Sequence, residues 1–362
     1  VAELNAAAAL ELTILGRGDL EALLPPPVAI AAVEQAMRAV SRGDALLPLR
    51  TSMALPGTNG RFVLMPGWLG TTGVDAPARV FGLKSVAKFP RATNDPLGTH
   101  VGAVLLFDAD SGRLLALLEG GTLTALRTAA ASALATRVLA PADASALAVL
   151  GTGEAAFRHA VAICAVRPIR EVRLWGRTPT HADALLRRVR AALDAGAASG
   201  ANAMPGGGAT ADVVVRAYAD AADAVRGAGV VCTTTAAPTP ILAGAWLSPG
   251  THVNLVGSAI PTTAEIDVEG VSRGRLYVDS REAAAAEAGE LRAAIAAGAV
   301  PSTHVLGEIG DVLLGRVTGR TSPREITIYK SLGLAPQDLA AAAWALAGAR
   351  AGARGRVVDL AR

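Results

Sequence analysis

Apolar positions along the chain change their period several times, and each change marks a part. Residues 12–15 (Leu-Thr-Ile-Leu) read as a short strand, after which Asp19 is placed to cap a helical turn. From Val28 to Arg42 the apolar residues recur three and four apart, the spacing of a helix, and Pro25, Pro26 and Pro27 divide it from the turn before. Between Leu47 and Leu117 the pattern shifts to short β-like runs, Arg61–Met65, Phe81–Val86 and Val101–Phe107, broken by Gly, Pro and Asn. These predict a mostly antiparallel unit with loops. Thr122 to Leu139 then reads as one long helix that stops before Pro141.

Beyond Pro141 strands alternate with helices: Ala146–Leu150, a helix from Ala155, Glu171–Trp175, a helix from Thr180, then Val213–Val215, Val230–Thr234, His252–Val256 and Leu276–Val278. Such alternation predicts a parallel sheet with helices on both faces. Near Arg324 a strand, Ile326–Tyr329, and a last helix, Gln337–Ala347, bring the chain back to the first unit. The expected α/β organisation is therefore discontinuous: residues 1–128 begin one domain, 129–323 form the parallel-sheet domain, and 324–362 complete the first. The Ala/Gly-rich stretch Gly196–Thr210 reads as a flexible surface loop.

Composition narrows the classes. With 362 residues of which 51% are hydrophobic, the chain is long and apolar enough for two folded domains. Only 3% of residues are aromatic, so the cores must close-pack aliphatic and small side chains. Lys and Arg number 34 against 31 Asp and Glu, a net +3, and no basic run is interleaved with aromatics, so no nucleic-acid surface is expected. Cys164 and Cys232 sit in apolar stretches and read as reduced core residues of a cytoplasmic protein. Glu3, Glu11, Arg17 and Asp19 interrupt any apolar leader, and no later run is long enough to span a membrane, so neither secretion nor a membrane partner is expected. The histidines show no metal-ligand spacing, and no metal is expected.

The clearest local chemistry is Val149-Leu150-Gly151-Thr152-Gly153-Glu154-Ala155-Ala156, a G-x-G-x-x-A that follows a strand and opens a helix. There Gly151 permits the tight turn, Gly153 lets a pyrophosphate approach the backbone, Ala156 lets helix and strand pack closely, and the helix N-terminus offers N–H donors. This is a dinucleotide cradle of the Rossmann type. The second strand of such a unit ends with the residue that reads the ribose, and here that stretch is Trp175-Gly176-Arg177-Thr178 with no carboxylate. Arg177 and Thr178 suit a 2′-phosphate, so NADP(H) is expected in preference to NAD(H).

A second constellation lies outside that unit: Arg50, Lys84, Lys88, Thr99, His100 and Arg127. Arg127 sits in Thr124-Ala125-Leu126-Arg127-Thr128-Ala129-Ala130, a cation on an apolar helix with no acidic residue within a turn. A buried charge needs a partner, and two remain open: a bound anion, or a carboxylate distant in sequence.

Leu123-Thr124-Ala125-Leu126-Arg127-Thr128-Ala129-Ala130, Gly151-Thr152-Gly153, Val256-Gly257-Ser258 and Lys330-Ser331-Leu332-Gly333-Leu334-Ala335 together resemble the ornithine cyclodeaminase/mu-crystallin family, over about residues 12–349. The resemblance implies a Rossmann domain plus a discontinuous α+β domain for substrate binding and dimerisation, hence a homodimer. It implies a substrate carboxylate held by Arg50, Lys84, Thr99 and Arg127; of these Lys84 and Arg127 are the catalytic candidates, Lys84 as proton donor because an amine near other cations shifts its pKa readily. Gly151, Thr152, Gly153, Glu154, Ala155, Arg177, Thr178, Thr233, Thr234, Ser331, Leu332 and Gly333 would line the cofactor.

Two departures bear on the substrate. Cyclodeaminases carry a Glu two residues before the Met-Pro pair, where this chain has Val63, and an Asp two residues before the proline of the strand-end loop, where it has Ala259. Without them a distal ammonium lacks counter-charges. The expected activity is therefore NAD(P)H-dependent reduction of a C=N bond next to a carboxylate, on a small imino, amino or oxo acid. The alternatives are redox-neutral cyclodeamination with bound NAD and a mu-crystallin-like NADPH-dependent small-molecule binding protein.

Overall fold

A computed structural model describes residues 11–71, 79–91, 95, 97–200, 204–208 and 210–360 of the chain. In chain order the strands are β1 (Glu11–Leu15), β2 (Ala45–Leu46), β3 (Thr51–Ala54), β4 (Arg61–Leu69), β5 (Val80–Lys88), β6 (His100–Asp108), β7 (Leu114–Glu119), β8 (Ala146–Leu150), β9 (Glu171–Trp175), β10 (Val214–Tyr218), β11 (Val230–Thr233), β12 (His252–Leu255), β13 (Gly274–Val278), β14 (Val305–Glu308), β15 (Ile326–Lys330) and β16 (Arg356–Asp359). Two compact units form, Val1–Arg127 with Leu334–Arg362, and Thr128–Gly333. No helix among the described residues is long and apolar enough to cross a membrane.

The first unit is an eight-stranded sheet in the order β16-β1-β7-β6-β5-β4-β2, with β3 on β4. Its ladders are antiparallel except β1 on β7. The Pro26–Arg42 helix buries Ile30, Val33, Ala36 and Met37, and Trp344 Nε1 of the Ala335–Ala351 helix donates to Gln35 Oε1 across 3.1 Å. Two glycines explain why the latter helix lies so close to the sheet. Gly67 and Gly82 are register partners on β4 and β5; a Cβ at Gly67 would sit 2.8 Å from Ala335 Cβ, and one at Gly82 would sit 2.7 Å from Leu339 Cδ2. Any side chain there would push the helix away.

The second unit is an eight-stranded, wholly parallel sheet, β10-β9-β8-β11-β12-β15-β13-β14. Its core joins Leu150, Val231, Val253, Leu255, Val278 and Ile328 among others. Cys164 and Cys232 are buried free thiols, and burial pushes both up to about 12, so they stay protonated and inert.

Several local expectations change. Asp19 is not the cap residue: Gly16 is, and Asp19 Oδ2 accepts from its N–H at 3.0 Å from inside the Arg17–Leu23 helix. Pro26 and Pro27 open the second helix, where a missing N–H costs nothing, rather than preceding it. The Pro179–Ser199 helix runs into the stretch expected to be loop and ends at Gly200 in the left-handed region; residues 201–203 and 209 of that stretch lie outside the described ones. The return to the first unit comes after Gly333, not at 324, because β15 lies between β12 and β13 in the parallel sheet. Every residue of β15 is buried, as a central strand covered on both faces requires.

Candidate active site

In the first unit, β5 alternates so that Val80, Gly82, Lys84 and Val86 point to one buried face. That face meets the Ala335–Ala351 helix, which places Gln337 and Asp338 in its first turn. Lys84 Nζ lies 2.7 Å from Asp338 Oδ2. Arg127, from the Gly120–Leu139 helix, donates through Nε to Asp338 Oδ1 at 2.8 Å and through Nη1 to Gln337 Oε1 at 2.9 Å. All four side chains are buried. Of the two partners open to Arg127, the distant carboxylate is thus present, 211 positions along the chain. It is shared, however, and Arg127 Nη2 makes no hydrogen bond among the described residues.

The charges do not balance. Burial, and then the Arg127 guanidinium, bring Lys84 down from 10.5 to about 7; Asp338 pulls the other way, and Arg50 adds to the lowering. For Asp338 burial disfavours the charged form, yet Arg127 and Lys84 outweigh it and hold the carboxyl below its usual range. One carboxylate therefore faces a surplus of cations, the electrostatics of an anion site.

The other predicted residues of this unit stand as follows. Arg50 is half-buried just before β3, and its charge is felt at Lys84. Thr99 is exposed, with Oγ1 2.9 Å from His100 Nδ1. His100 faces Lys88 in the β5–β6 register, and burial, Lys88, Lys84 and Arg127 lower it to about 3. It stays a neutral imidazole and is no proton donor at ordinary pH. Val63 is buried with Met65 and Ala335, so its position carries no counter-charge. Gln337 and Asp338 were not singled out in the sequence.

In the second unit, Gly151 to Gly153 follow β8, beside the point where the strand order reverses. Gly151 has φ 134°, and a Cβ there would lie 2.4 Å from Thr234 Oγ1, so both backbone and packing demand glycine. Gly153 is different: a Cβ would meet nothing within 4 Å. Nothing in the protein requires that glycine, whereas a phosphate against the backbone would. Gly153 caps the Glu154–Cys164 helix without a side-chain hydrogen bond, which leaves the first N–H groups for a ligand. Ala155 follows in that turn, Ala156 is buried against the sheet, and Thr152 Cγ2 fills the space over Gly176. Glu154's carboxylate is drawn to Arg158 and Arg188, both at 2.6 Å, so only its N–H faces the turn's chemistry.

At the end of β9, Arg177 and Thr178 are exposed, and Thr178 begins the Pro179–Ser199 helix without using its hydroxyl as a cap. Thr233 and Thr234 have their hydroxyls engaged, by Glu265 at 2.8 Å and by the Leu150 carbonyl at 3.2 Å. Glu265 also accepts from the N–H groups of Thr235 and Gly257, at 2.7 and 2.6 Å, and so fixes both strand-end loops. Leu332 and Gly333 donate their N–H groups to Asp279 Oδ2 at 2.8 and 2.6 Å. Between them and Lys330, Ser331 Oγ is buried with no hydrogen-bond partner. An orphaned hydroxyl and an open glycine fit a dinucleotide along this edge. Ala259 is half-buried against the apolar core and offers no charge. Among the described residues no group of His, Cys, Asp and Glu could hold a metal ion.

Comparison with known proteins agrees with both units. The chain is 33% identical over 323 residues to the ketimine reductase mu-crystallin of Mus musculus, covering 88% of this chain and 90% of that one. The structure of Thermococcus litoralis Δ1-pyrroline-2-carboxylate reductase in complex with NADH and L-proline superposes with a TM-score of 0.85 at 30% identity, over 95% of this chain and 99% of that one. An archaeal alanine dehydrogenase dimer with bound NAD gives 0.83 at 28% identity, over 97% and 99%. Residues 19–215 and 201–351 match the family description itself, and the chain belongs to the ornithine cyclodeaminase/mu-crystallin family.

Proposed function

We propose that the protein is a nicotinamide-dependent reductase of C=N bonds adjacent to a carboxylate, acting on small cyclic imino acids or on imines of 2-oxo acids. The observation that carries this reading is the buried Lys84–Asp338–Arg127 cluster, with its excess of cations and an amine whose proton affinity is tuned to about 7. The imine reductases among its relatives support it. A bound nicotinamide dinucleotide supplies the hydride. The π electrons of C=N pass to nitrogen, which takes a proton from Lys84 Nζ and leaves that amine neutral. Arg127 Nη2 and Arg50 hold the substrate carboxylate, with Thr99 as a further donor, so the reacting carbon is fixed rather than free to rotate. Because Nε and Nη1 of Arg127 are already engaged, the grip comes from two arginines and not from one guanidinium fork. A homodimer belongs to the same reading, supported by the dimeric archaeal relative.

NADP(H) is the preferred cofactor in this reading, through Arg177 and Thr178, whereas the Thermococcus litoralis reductase and the archaeal alanine dehydrogenase hold NADH and NAD. Arg177→Ala should weaken NADPH binding by about 1–3 kcal/mol and NADH far less, since only the 2′-phosphate needs the cation. Fluorescence titration with both cofactors checks this; equal losses would move the discrimination elsewhere.

The reading is tested by offering the protein two substrates. Δ1-Pyrroline-2-carboxylate with NADPH should be turned over with loss of cofactor absorbance. Ornithine with NAD should release little ammonia, because Val63 and Ala259 stand where cyclodeaminases carry carboxylates, and an ammonium buried without a counter-charge costs several kcal/mol. Ammonia release matching the imine rate would replace reduction with cyclodeamination.

A further inference from the structure

Asp338 is the one carboxylate among the described residues paired with both cations of the cluster, and its placement is specific. One oxygen lies 2.7 Å from Lys84 Nζ, the other accepts from Arg127 Nε at 2.8 Å, and the neighbouring Gln337 takes Arg127 Nη1 at 2.9 Å. Asp338 is 1% exposed, so it meets the substrate's surroundings only through those two side chains. We propose that Asp338 is a positioning residue, which holds the Lys84 ammonium and the Arg127 guanidinium in fixed relation so that one delivers the proton while the other keeps Nη2 turned to the carboxylate. The inference rests on the reductase reading and adds a residue to it.

The groups facing Lys84 are Arg127 on the Gly120–Leu139 helix, Arg50 before β3, Asp338 on the Ala335–Ala351 helix and, more weakly, His100 on β6. His100 is neutral, so among the groups that act on Lys84 it is Asp338 that opposes the two arginines. Remove its charge and keep its shape, as Asp338→Asn does, and the ammonium loses the one carboxylate that faces it among the described residues. Lys84 then gives up its proton at lower pH and cannot deliver it at neutral pH. The carboxylate site, in contrast, gains net positive charge. Chemistry and anion binding should part company, which a merely structural residue would not cause.

The test combines two readings on Asp338→Asn. For reduction of Δ1-pyrroline-2-carboxylate by NADPH, the alkaline fall of kcat/KM should move to lower pH by about one unit or more, with a loss at pH 8 of about 10-fold or greater that recovers as pH is lowered. Calorimetric titration with pyrrole-2-carboxylate, which is not reduced, should show affinity unchanged or tighter. A uniform loss of activity and binding at every pH, or a profile identical to wild type, would overturn the proposal. If Asp338→Asn does not fold, Asp338→Glu decides: the retained charge should keep the alkaline limb in place while the displaced carboxylate lowers kcat about 10-fold, and wild-type kcat would contradict it. Should the wild-type protein reduce no imino acid, the reductase reading fails on its own. Proton uptake on pyrrole-2-carboxylate binding, measured in two buffers, would still show whether Asp338 controls Lys84: a difference between wild type and Asp338→Asn supports the control, and equal uptake refutes it.

Discussion

Replacing Lys84 with methionine should lower kcat/KM for imine reduction about 10³-fold while leaving dinucleotide affinity unchanged, because a positioned general acid contributes roughly that much. Methionine keeps the unbranched stem that β5 packs beneath the Ala335–Ala351 helix, so the loss is of the amine and its charge. The pH profile identifies the role. In the free protein Lys84 titrates at about 7, so wild-type kcat/KM for reduction should be level below that pH and fall about tenfold per unit above it. The limb in kcat should lie higher, since a bound carboxylate stabilises the ammonium. Both limbs should vanish in Lys84→Met; a wild-type limb surviving in that variant would assign the proton to another group. The same shift has a stability consequence. Between about 7 and the unperturbed 10.5 the unfolded chain binds more protons at this site than the folded one, so the contribution of Lys84 to folding becomes more favourable as pH rises through that window. Thermal melts across it should show a rise that Lys84→Met lacks.

Arg127→Lys should cost about 10²-fold or more in kcat/KM despite conserving charge. The guanidinium reaches Asp338 Oδ1 and Gln337 Oε1 from one rigid plane, and in the proposed function Nη2 of the same plane takes the substrate carboxylate. An ammonium is a point donor and cannot serve all three. It will follow Asp338, leaving the substrate carboxylate to Arg50 and free to rotate. Gln337 Oε1 loses its shorter, charged donor and keeps only the Leu334 N–H at 3.4 Å, so stability should also fall by about 1 kcal/mol. Dinucleotide affinity should hold, since the Gly151–Gly153 turn is untouched. If instead the surviving folded fraction keeps wild-type kcat/KM, Arg127 serves only to neutralise Asp338.

What the sequence disclosed and what it concealed follow from range. Ala146–Leu150 and Glu171–Trp175 stand as strands at their expected bounds because the first is a short aliphatic run and the second alternates polar with apolar residues, each with a turn behind it. β7 is hard to read although Gly112 and Gly120 bracket it, because Leu114-Leu115-Ala116-Leu117-Leu118 does not alternate and suits a buried helix as well as a strand. β15 was legible as a strand but not as a member of the parallel sheet, since pairing partners such as Thr327 with His252 lie far apart in the chain. The site shows the same limit. Arg127 is conspicuous in the sequence as a cation on an apolar helix, and Lys84 is picked out by the family resemblance. Asp338 was not, because an acidic residue in the first turn of a helix is ordinary there and interacts favourably with the helix dipole. Only the fold brings that turn under β5, and with it the carboxylate that both cations share.

The most direct test of imine reduction is the fate of the hydride. The protein should be incubated with NADPH deuterated at nicotinamide C4, in separate reactions for the two faces, and with Δ1-pyrroline-2-carboxylate, and the proline formed should be examined by mass spectrometry and NMR. Transfer of one deuterium to the carbon bearing the carboxylate, from one face only and in step with cofactor oxidation, is the predicted result. Deuterium-free proline, or turnover of ornithine to proline and ammonia with no net cofactor oxidation, would contradict it.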